Sequence, residues 1–476
     1  MTHNPRQVYL LDPQKLPPET IAVAFAKTSR SPQSFQEIAA ELTDEKSAEF
    51  HERWVVGYGH ASVAEHAVLH IAVENISRLA VEVLESNRLA SYTEKSTRYQ
   101  TWTPDGYYIP EELSAPPLRK TYTDICRLLF DTYQRALPAV REVILRENPS
   151  QPGESEAAWD RRLRSAYVDV CRFLLPAASL ANVGVTINAR ALEHALRKMI
   201  SHPLAEVRAA GEEMKAVAQA QAPTLVKYAD AQPYLQRLPE FFSEAAAEIS
   251  TPDSPAADWC ALISSDPDGE NRVLAAALYR FGQHSYPQIL AYLRSLNAKG
   301  RRELAHLLLD GLERHDIPVR ELEYCSYTVD LTLDQGAYFE LKRHRMMTQT
   351  AQPLNPYLGY AVPRRIRTAG IEEDYRRAMQ AAAQAYEHLA AWNPHVASYV
   401  IPNAFNRRVL LQFNLRSAFH LVNLRTAENA HFSIRRAVLR IAEQIQAAHP
   451  LLGAYLRLPA GETWKTVEDA HFVQTA

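Results

Sequence analysis

The sequence predicts an α+β fold, arranged as two tandem domains that each combine a mixed sheet with long helices. Three observations lead there. The 476 residues exceed what one ordinary hydrophobic core organises. Short strand-like patterns stand among long helical ones without a regular βα alternation, which argues against a parallel α/β sheet. A set of local patterns also occurs twice in the same order.

Taken in order, Val8-Tyr9-Leu10-Leu11-Asp12-Pro13 reads as a short strand and turn leading to a helix over Ile21 to Lys27. Its counterpart is the strand Trp259-Cys260-Ala261-Leu262-Ile263, the turn Asp266-Pro267 and a helix over Val273 to Arg280. Ala67 to Val73 and Tyr324 to Leu331 alternate apolar and polar positions, as strands do. Helical periodicity rich in Ala, Leu, Arg and Glu covers 115–146, 161–178, 187–220, 371–391 and 411–446. Glu147 to Asp160, rich in Pro, Ser and Glu, reads as a loop.

Further pairs tie the halves together. His60-x-Ser62-x-x-Glu65-His66 matches His315-Asp316-x-Pro318-x-Arg320-Glu321, and Tyr108-Ile109-Pro110 matches Ala361-Val362-Pro363. Asn188-x-Arg190-x-x-x-His194 matches Asn414-x-Arg416-x-x-x-His420. The shift is 255 residues at His60, 253 at Pro110 and 226 at Asn188, so the first half carries an insertion, placed in the 147–160 loop. The domains are expected at 1–242 and 258–476, joined by a linker over 243–257 that contains Ser250-Thr251-Pro252-Asp253-Ser254-Pro255.

A net charge of −3 argues against general nucleic-acid binding but leaves room for a local basic pocket. Cys126, Cys171, Cys260 and Cys325 include no Cys-x-x-Cys pair, so neither a disulfide framework nor a zinc site is expected. Free thiols in a reducing cytoplasm are the plain expectation. No secretory signal is expected at the start, and no run of about 18 apolar residues suggests a membrane span.

The chemistry concentrates in charged motifs. Arg343-His344-Arg345 follows a helical stretch, where cations complement the helix dipole; the same guanidinium forks can also grip a phosphate or a ring carbonyl. Glu94-Lys95-Ser96-Thr97-Arg98-Tyr99 places a hydroxyl two residues from a guanidinium. Taken alone, Arg98 and Arg172 read equally as surface ion pairs, Arg190 and Arg416 as salt-bridge partners on helix faces, and His194 and His420 as core histidines. Tyr92 and Tyr99 read as packing residues. His60, His66 and His70 are dense, but no His-Glu-x-x-His pattern accompanies them and no metal is expected.

The chain resembles the flavin-dependent thymidylate synthases, the thymidylate-synthase-complementing family, whose signature is Arg-His-Arg, seven residues, then Ser-x-Arg-Tyr. In the first half Ser96-Thr97-Arg98-Tyr99 keeps the end of that signature, but its beginning is Ser86-Asn87-Arg88. In the second half Arg343-His344-Arg345 is intact and Pro353 replaces the serine. The family's Ala-Arg-x-x-Leu-Pro resembles Cys171-Arg172-Phe173-Leu174-Leu175-Pro176; its counterpart from Ala397 to Pro402 has Ser398 for the arginine. Asn414-Leu415-Arg416 to Leu424-Arg425 keeps the late arginine that is Met199 in the first half. Each half thus retains what the other has lost.

The resemblance implies one composite site per pair of halves, taking 2′-deoxyuridine 5′-monophosphate as substrate. The family methylates it reductively with methylenetetrahydrofolate and reduced FAD, NADPH renewing the flavin. Implied for the nucleotide are Glu94, Ser96, Thr97, Arg98, Arg172, Glu340, Arg343 and Arg425, with Arg425 also the residue that stabilises charge on the ring. Implied for the flavin are Ser62, Glu94, Asn188, Arg190, His194, Arg343, His344, Arg345, Asn414, Arg416 and His420. Family members are homotetramers, so a fused pair implies a homodimer. Three departures leave the substrate open: Glu340 stands where the family has a glutamine, Arg320 where it has an acid, and 348–354 is rewritten. A flavoenzyme for another pyrimidine nucleotide, or a catalytically silent nucleotide-binding homologue, are the alternatives.

Overall fold

The computed structural model describes residues 7–57, 59–249, 258–313 and 315–473. The class is α+β, and each of two compact units contains one small sheet with helices. Among the described residues every ladder is antiparallel. No helix among the described residues is long and apolar enough to cross a membrane.

The first unit contains Met1–Lys95, Tyr108–Ser114 and Leu180–Ser250. Its sheet runs β1 (Val68–Ser77), β3 (Leu180–Asn188), β2 (Ala90–Glu94), with β3 central. Alternation along β3 buries Val183, Val185 and Ile187 on one face. The strand passes straight into the helix Ala189–Ile200, because the Asn188 side chain accepts from Ala191 N at 2.9 Å and caps it. The expected 187–220 helix therefore begins one strand end late and is broken at Ser201–Leu204, where Pro203 cannot continue it. Arg78 and Glu94 form a buried ion pair at 2.7 Å.

The strand expected at Val8–Pro13 does not form; Val8 and Leu10, which would share one face, are 90% and 92% exposed, while Leu11 packs against the Ala24, Ile38 and Ala39 cluster without a strand. The first part of the expected 243–257 linker is the end of the helix Pro233–Ala247, and 250–257 lie outside the described residues. The expected loop at 147–160 is shorter, since Ser155 caps a helix at Glu156–Cys171.

The second unit contains Ser96–Tyr107, Ala115–Ser179 and Thr251–Ala476. Compactness thus follows a different division from the repeat, for 115–179 of the first sequence half belong here. The sheet runs β4 (Cys260–Ser265), β5 (Ser326–Asp334), β7 (Asn406–Asn414), β6 (Thr348–Ala351). Val329, Leu331, Val409 and Leu411 join Ile434, Val438 and Ile441 of the helix Phe432–Ala448 in the core. Each such buried side chain contributes about 1.5–3 kcal/mol of transfer free energy. Within the expected 411–446 helix lie the end of β7, the helix Leu415–Arg425 and the Phe432–Ala448 helix. The expected 161–178 helix stops at Cys171, giving way to a 3-10 turn and Pro176.

That turn matters. Ala177 N donates to Ile401 O at 2.9 Å, and Asn403 N to Leu175 O at 3.0 Å. Ala178 N donates to Tyr399 O at 2.8 Å, and Ala404 N to Phe173 O at 3.0 Å. Within each couple one bond becomes the other when every residue is exchanged with its mate 226 positions away, the shift already seen from Asn188 to Asn414. The two Leu-Pro segments bind each other reciprocally about Pro176 and Pro402.

Candidate functional site

The site grows from the end of β5. Asp334 accepts from Ala337 N at 2.8 Å and from the Ser433 hydroxyl, so it caps the short helix Gln335–Leu341. That helix carries Glu340 inward, with only 7% of its side chain exposed. The chain then turns through Arg343-His344-Arg345; Gln349 pins the turn by donating to Leu341 O and His344 O, both at 3.1 Å. His344 is buried, Arg345 half-buried and Arg343 exposed.

Two arginines grip the Glu340 carboxylate. Arg425, at the C-terminus of the Leu415–Arg425 helix, donates from Nη1 to Oε2 at 3.3 Å. Arg172, from the 3-10 turn that follows Glu156–Cys171, donates from Nη2 to Oε1 at 3.1 Å and to Gly336 O at 3.2 Å. Its Nε meets no acceptor although it is buried. Asn403 holds the turn by donating to Arg172 O at 3.0 Å.

Arg425 Nε also donates to His344 Nε2 at 2.9 Å, so that imidazole is neutral with its proton on Nδ1. Burial, then the Arg425 charge, then His420 hold His344 down to about 3. Burial also lowers the Arg425 guanidinium, with Glu340 opposing and Arg343 and Arg98 adding to the effect. Those charges place Arg98 and Arg343 in the same electrostatic neighbourhood. Arg98 forms a fork with Asp169, Nε to Oδ1 at 2.9 Å and Nη2 to Oδ2 at 2.8 Å. Burial pulls Arg98 down, but the Asp169 bonds and charge more than offset it. Arg98 N donates to Ser96 Oγ at 3.2 Å, and Thr97 is buried beside it.

Three guanidinium groups (Arg98, Arg172, Arg425) thus lie largely desolvated with two carboxylates, Asp169 and Glu340, and the charge of the exposed Arg343 also acts on Arg425. The excess is cationic and suits an anionic ligand. Arg98 and Arg172 are not the surface ion pairs they suggest in isolation, because their carboxylate partners are almost fully enclosed.

The remaining expected residues are placed elsewhere or otherwise engaged. Asn414 caps its helix by accepting from Ser417 N at 2.9 Å. Arg416 donates to Pro318 O at 2.8 Å and to Glu323 at 2.9 Å. His420 is exposed and its ring meets that of His344 at 5.5 Å. Glu94, Ser62, Asn188, Arg190 and His194 belong to the first unit. There Glu94 is closed in with Arg78, Asn188 is a cap and Arg190 pairs with Glu65, while Ser62 and His194 are exposed. Neither His194 nor His420 is a core histidine. Among the described residues no group of three or more His, Cys, Asp or Glu is placed to hold a metal ion.

Asp169, Asn403 and Gln349 escaped the sequence reading. Asp169 left a signal: an acid inside Val168-Asp169-Val170-Cys171 would be buried at high cost unless a cation met it. Asn403 and Gln349 left none, because each acts on a backbone group far away in sequence.

The profile described as thymidylate synthase complementing protein matches residues 10–224 and 261–451. A UPF0159 protein of Chlamydia muridarum is 32% identical over 88% of this chain and 82% of its own length. A UPF0159 protein of Thermoplasma acidophilum is 27% identical over 88% of this chain and 90% of its own. The flavin-dependent thymidylate synthase of Thermococcus onnurineus is 31% identical over 40% of this chain and 69% of its own.

Proposed function

From a chain that belongs to the thymidylate synthase complementing protein family, and carries that family's match twice, we propose a flavin-dependent thymidylate synthase-like enzyme with one composite site per fused pair. The reaction proposed is reductive methylation of dUMP to dTMP. The observation that carries it is the contact of Arg172 from the first repeat with Glu340 of the second, which Arg425 of the second repeat shares, with the charges of Arg98 and Arg343 acting on the same group.

The donor set fits an anionic nucleotide: cations outnumber acids, and the buried Arg172 Nε lacks an acceptor. Ser96 and Arg98 hold the phosphate. Arg425 faces the charge that develops on the pyrimidine ring, and a preorganised guanidinium in a desolvated place does this with little rearrangement. Arg172 is too enclosed to lead; it keeps Glu340 and hence Arg425 in position. Neutral His344 fixes the Arg425 plane from the other side.

The flavin is assigned to Arg343, His344 and Arg345, the intact family triplet beside Arg425. When bound, reduced FAD supplies the hydride and methylenetetrahydrofolate the one-carbon unit, with NADPH as reductant. A reducing, cytoplasmic setting belongs to the same proposal and agrees with four buried free thiols.

The test is the visible spectrum of purified protein before and after FAD, then titrated with dUMP. A flavin spectrum perturbed by dUMP supports the reading; no flavin uptake sinks it and favours a silent homologue. A second reading rests on Glu340. A carboxylate accepts hydrogen bonds only, so a ring edge bearing a donor, such as a cytosine amine, would suit it better than a carbonyl. Turnover with dCMP and none with dUMP would favour that reading.

A further inference from the structure

One buried histidine joins two helix ends beside Asp169, the carboxylate that holds Arg98. His431 is almost fully enclosed and stands at the start of the helix Phe432–Ala448. Its Nδ1 accepts from Ser433 N at 3.1 Å, so the side chain caps that helix. A ring nitrogen that accepts carries no proton, so the proton of the neutral imidazole is on Nε2. Nε2 lies 3.2 Å from Asp169 O and donates to it. Asp169 is in the last turn of the helix Glu156–Cys171, where carbonyls run out of helical donors and a buried one needs another. The ring also packs on Phe432 and Phe173, with centroids 4.1 and 5.6 Å away. Burial, then the charges of Arg172 and Arg98, hold the imidazole well below its ordinary value, so it stays neutral.

We propose that His431 is a positioning residue: it fixes the last turn of the Glu156–Cys171 helix, hence Asp169, and through Asp169 the direction in which Arg98 presents its guanidinium to an anion. The Asp169 fork takes Nε and Nη2 of Arg98, and Nη1 meets no acceptor among the described residues. Where the carboxylate stands therefore sets which edge is offered to a ligand. Arginine recognises phosphate through a planar fork, so a tilt of its plane loses affinity that a lone point charge would keep. This role rests on the phosphate contact proposed above for Ser96 and Arg98.

Two near-isosteric variants separate the two contacts of the ring. His431→Asn keeps an acceptor for Ser433 N and loses the donor to Asp169 O; His431→Gln keeps the donor and loses the acceptor. Each full-length variant is titrated with dUMP and, separately, with inorganic phosphate, and its thermal melt is recorded. His431→Gln is expected to bind within about twofold of the unaltered chain even where it melts lower, and His431→Asn roughly tenfold more weakly. In an Arg98→Gln chain, adding His431→Asn should weaken binding little further, because the residue it acts through is gone. Either variant decides alone if the other fails to fold. Affinity that follows melting temperature, equal losses in both variants, or a full loss persisting in the Arg98→Gln chain overturns the proposal and leaves the dUMP reading standing. Phosphate binding with the expected ranking but no dUMP binding supports the proposal and sinks the dUMP reading; an unaltered chain that binds neither sinks both.

Discussion

At the scale of single residues, Glu340 decides the most. It is the acid that lets Arg172 and Arg425 share a desolvated space, so its removal leaves an enclosed guanidinium without a counter-charge. Glu340→Ala is expected to lower stability by about 3 kcal/mol, read as a shift in denaturant midpoint, with Glu340→Gln costing less. His344 predicts a pH dependence. Its folded value of about 3 lies below its ordinary 6.5, so its contribution is complete above pH 6.5 and is lost as pH falls towards 3. The slope is at most about 1.4 kcal/mol per pH unit. Asp334, raised by burial, acts in the opposite sense, so the quantity to measure is the difference between the native chain and His344→Asn. The variant's stability should fall less steeply between pH 6.5 and 4; equal slopes would remove His344 from the account.

At the scale of elements, the close approach of Gly269 to its surroundings sets a sharp expectation. A Cβ there would lie 2.5 Å from Cys325 Sγ and 3.0 Å from His449 Nε2. Gly269→Ala should cost about 1–3 kcal/mol by overpacking, and Cys325→Ala in the same chain should recover part of it. Strictly additive losses in thermal denaturation would contradict that contact. Elements with a long period or a clean alternation were legible in the sequence: the Pro116–Glu147 and Glu372–Ala390 helices, and β1 and β5. The central strands β3 and β7 were not, because each runs into its helix through a capping asparagine without a loop. Asn188 and Asn414 themselves stood out as a repeated motif, but whether such a side chain caps a helix or holds a ligand is decided by the backbone amide next to it.

At the scale of the molecule, complementary loss of motifs was readable, because Arg-His-Arg and Ser-x-Arg-Tyr survive in different halves. What could not be read was which chain segments would fold together. The second unit takes its Pro116–Glu147 helix from the first sequence half, where Tyr122, Leu129, Phe130 and Tyr133 are all buried. A fragment of residues 258–476 should therefore lack a cooperative thermal transition, and co-expression with 1–249 should restore one. A monodisperse fragment with a sharp melt would refute this. The interleaving also has a consequence during synthesis. Once Ser179 has emerged, the helix Pro116–Glu147 waits for the strands and helices it must join, and on the order of 300 residues remain to be translated at roughly 5–20 per second. For tens of seconds a long apolar surface faces water beside the ribosome, so efficient production of this chain is a matter of what shields that nascent helix as much as of the stability it finally reaches.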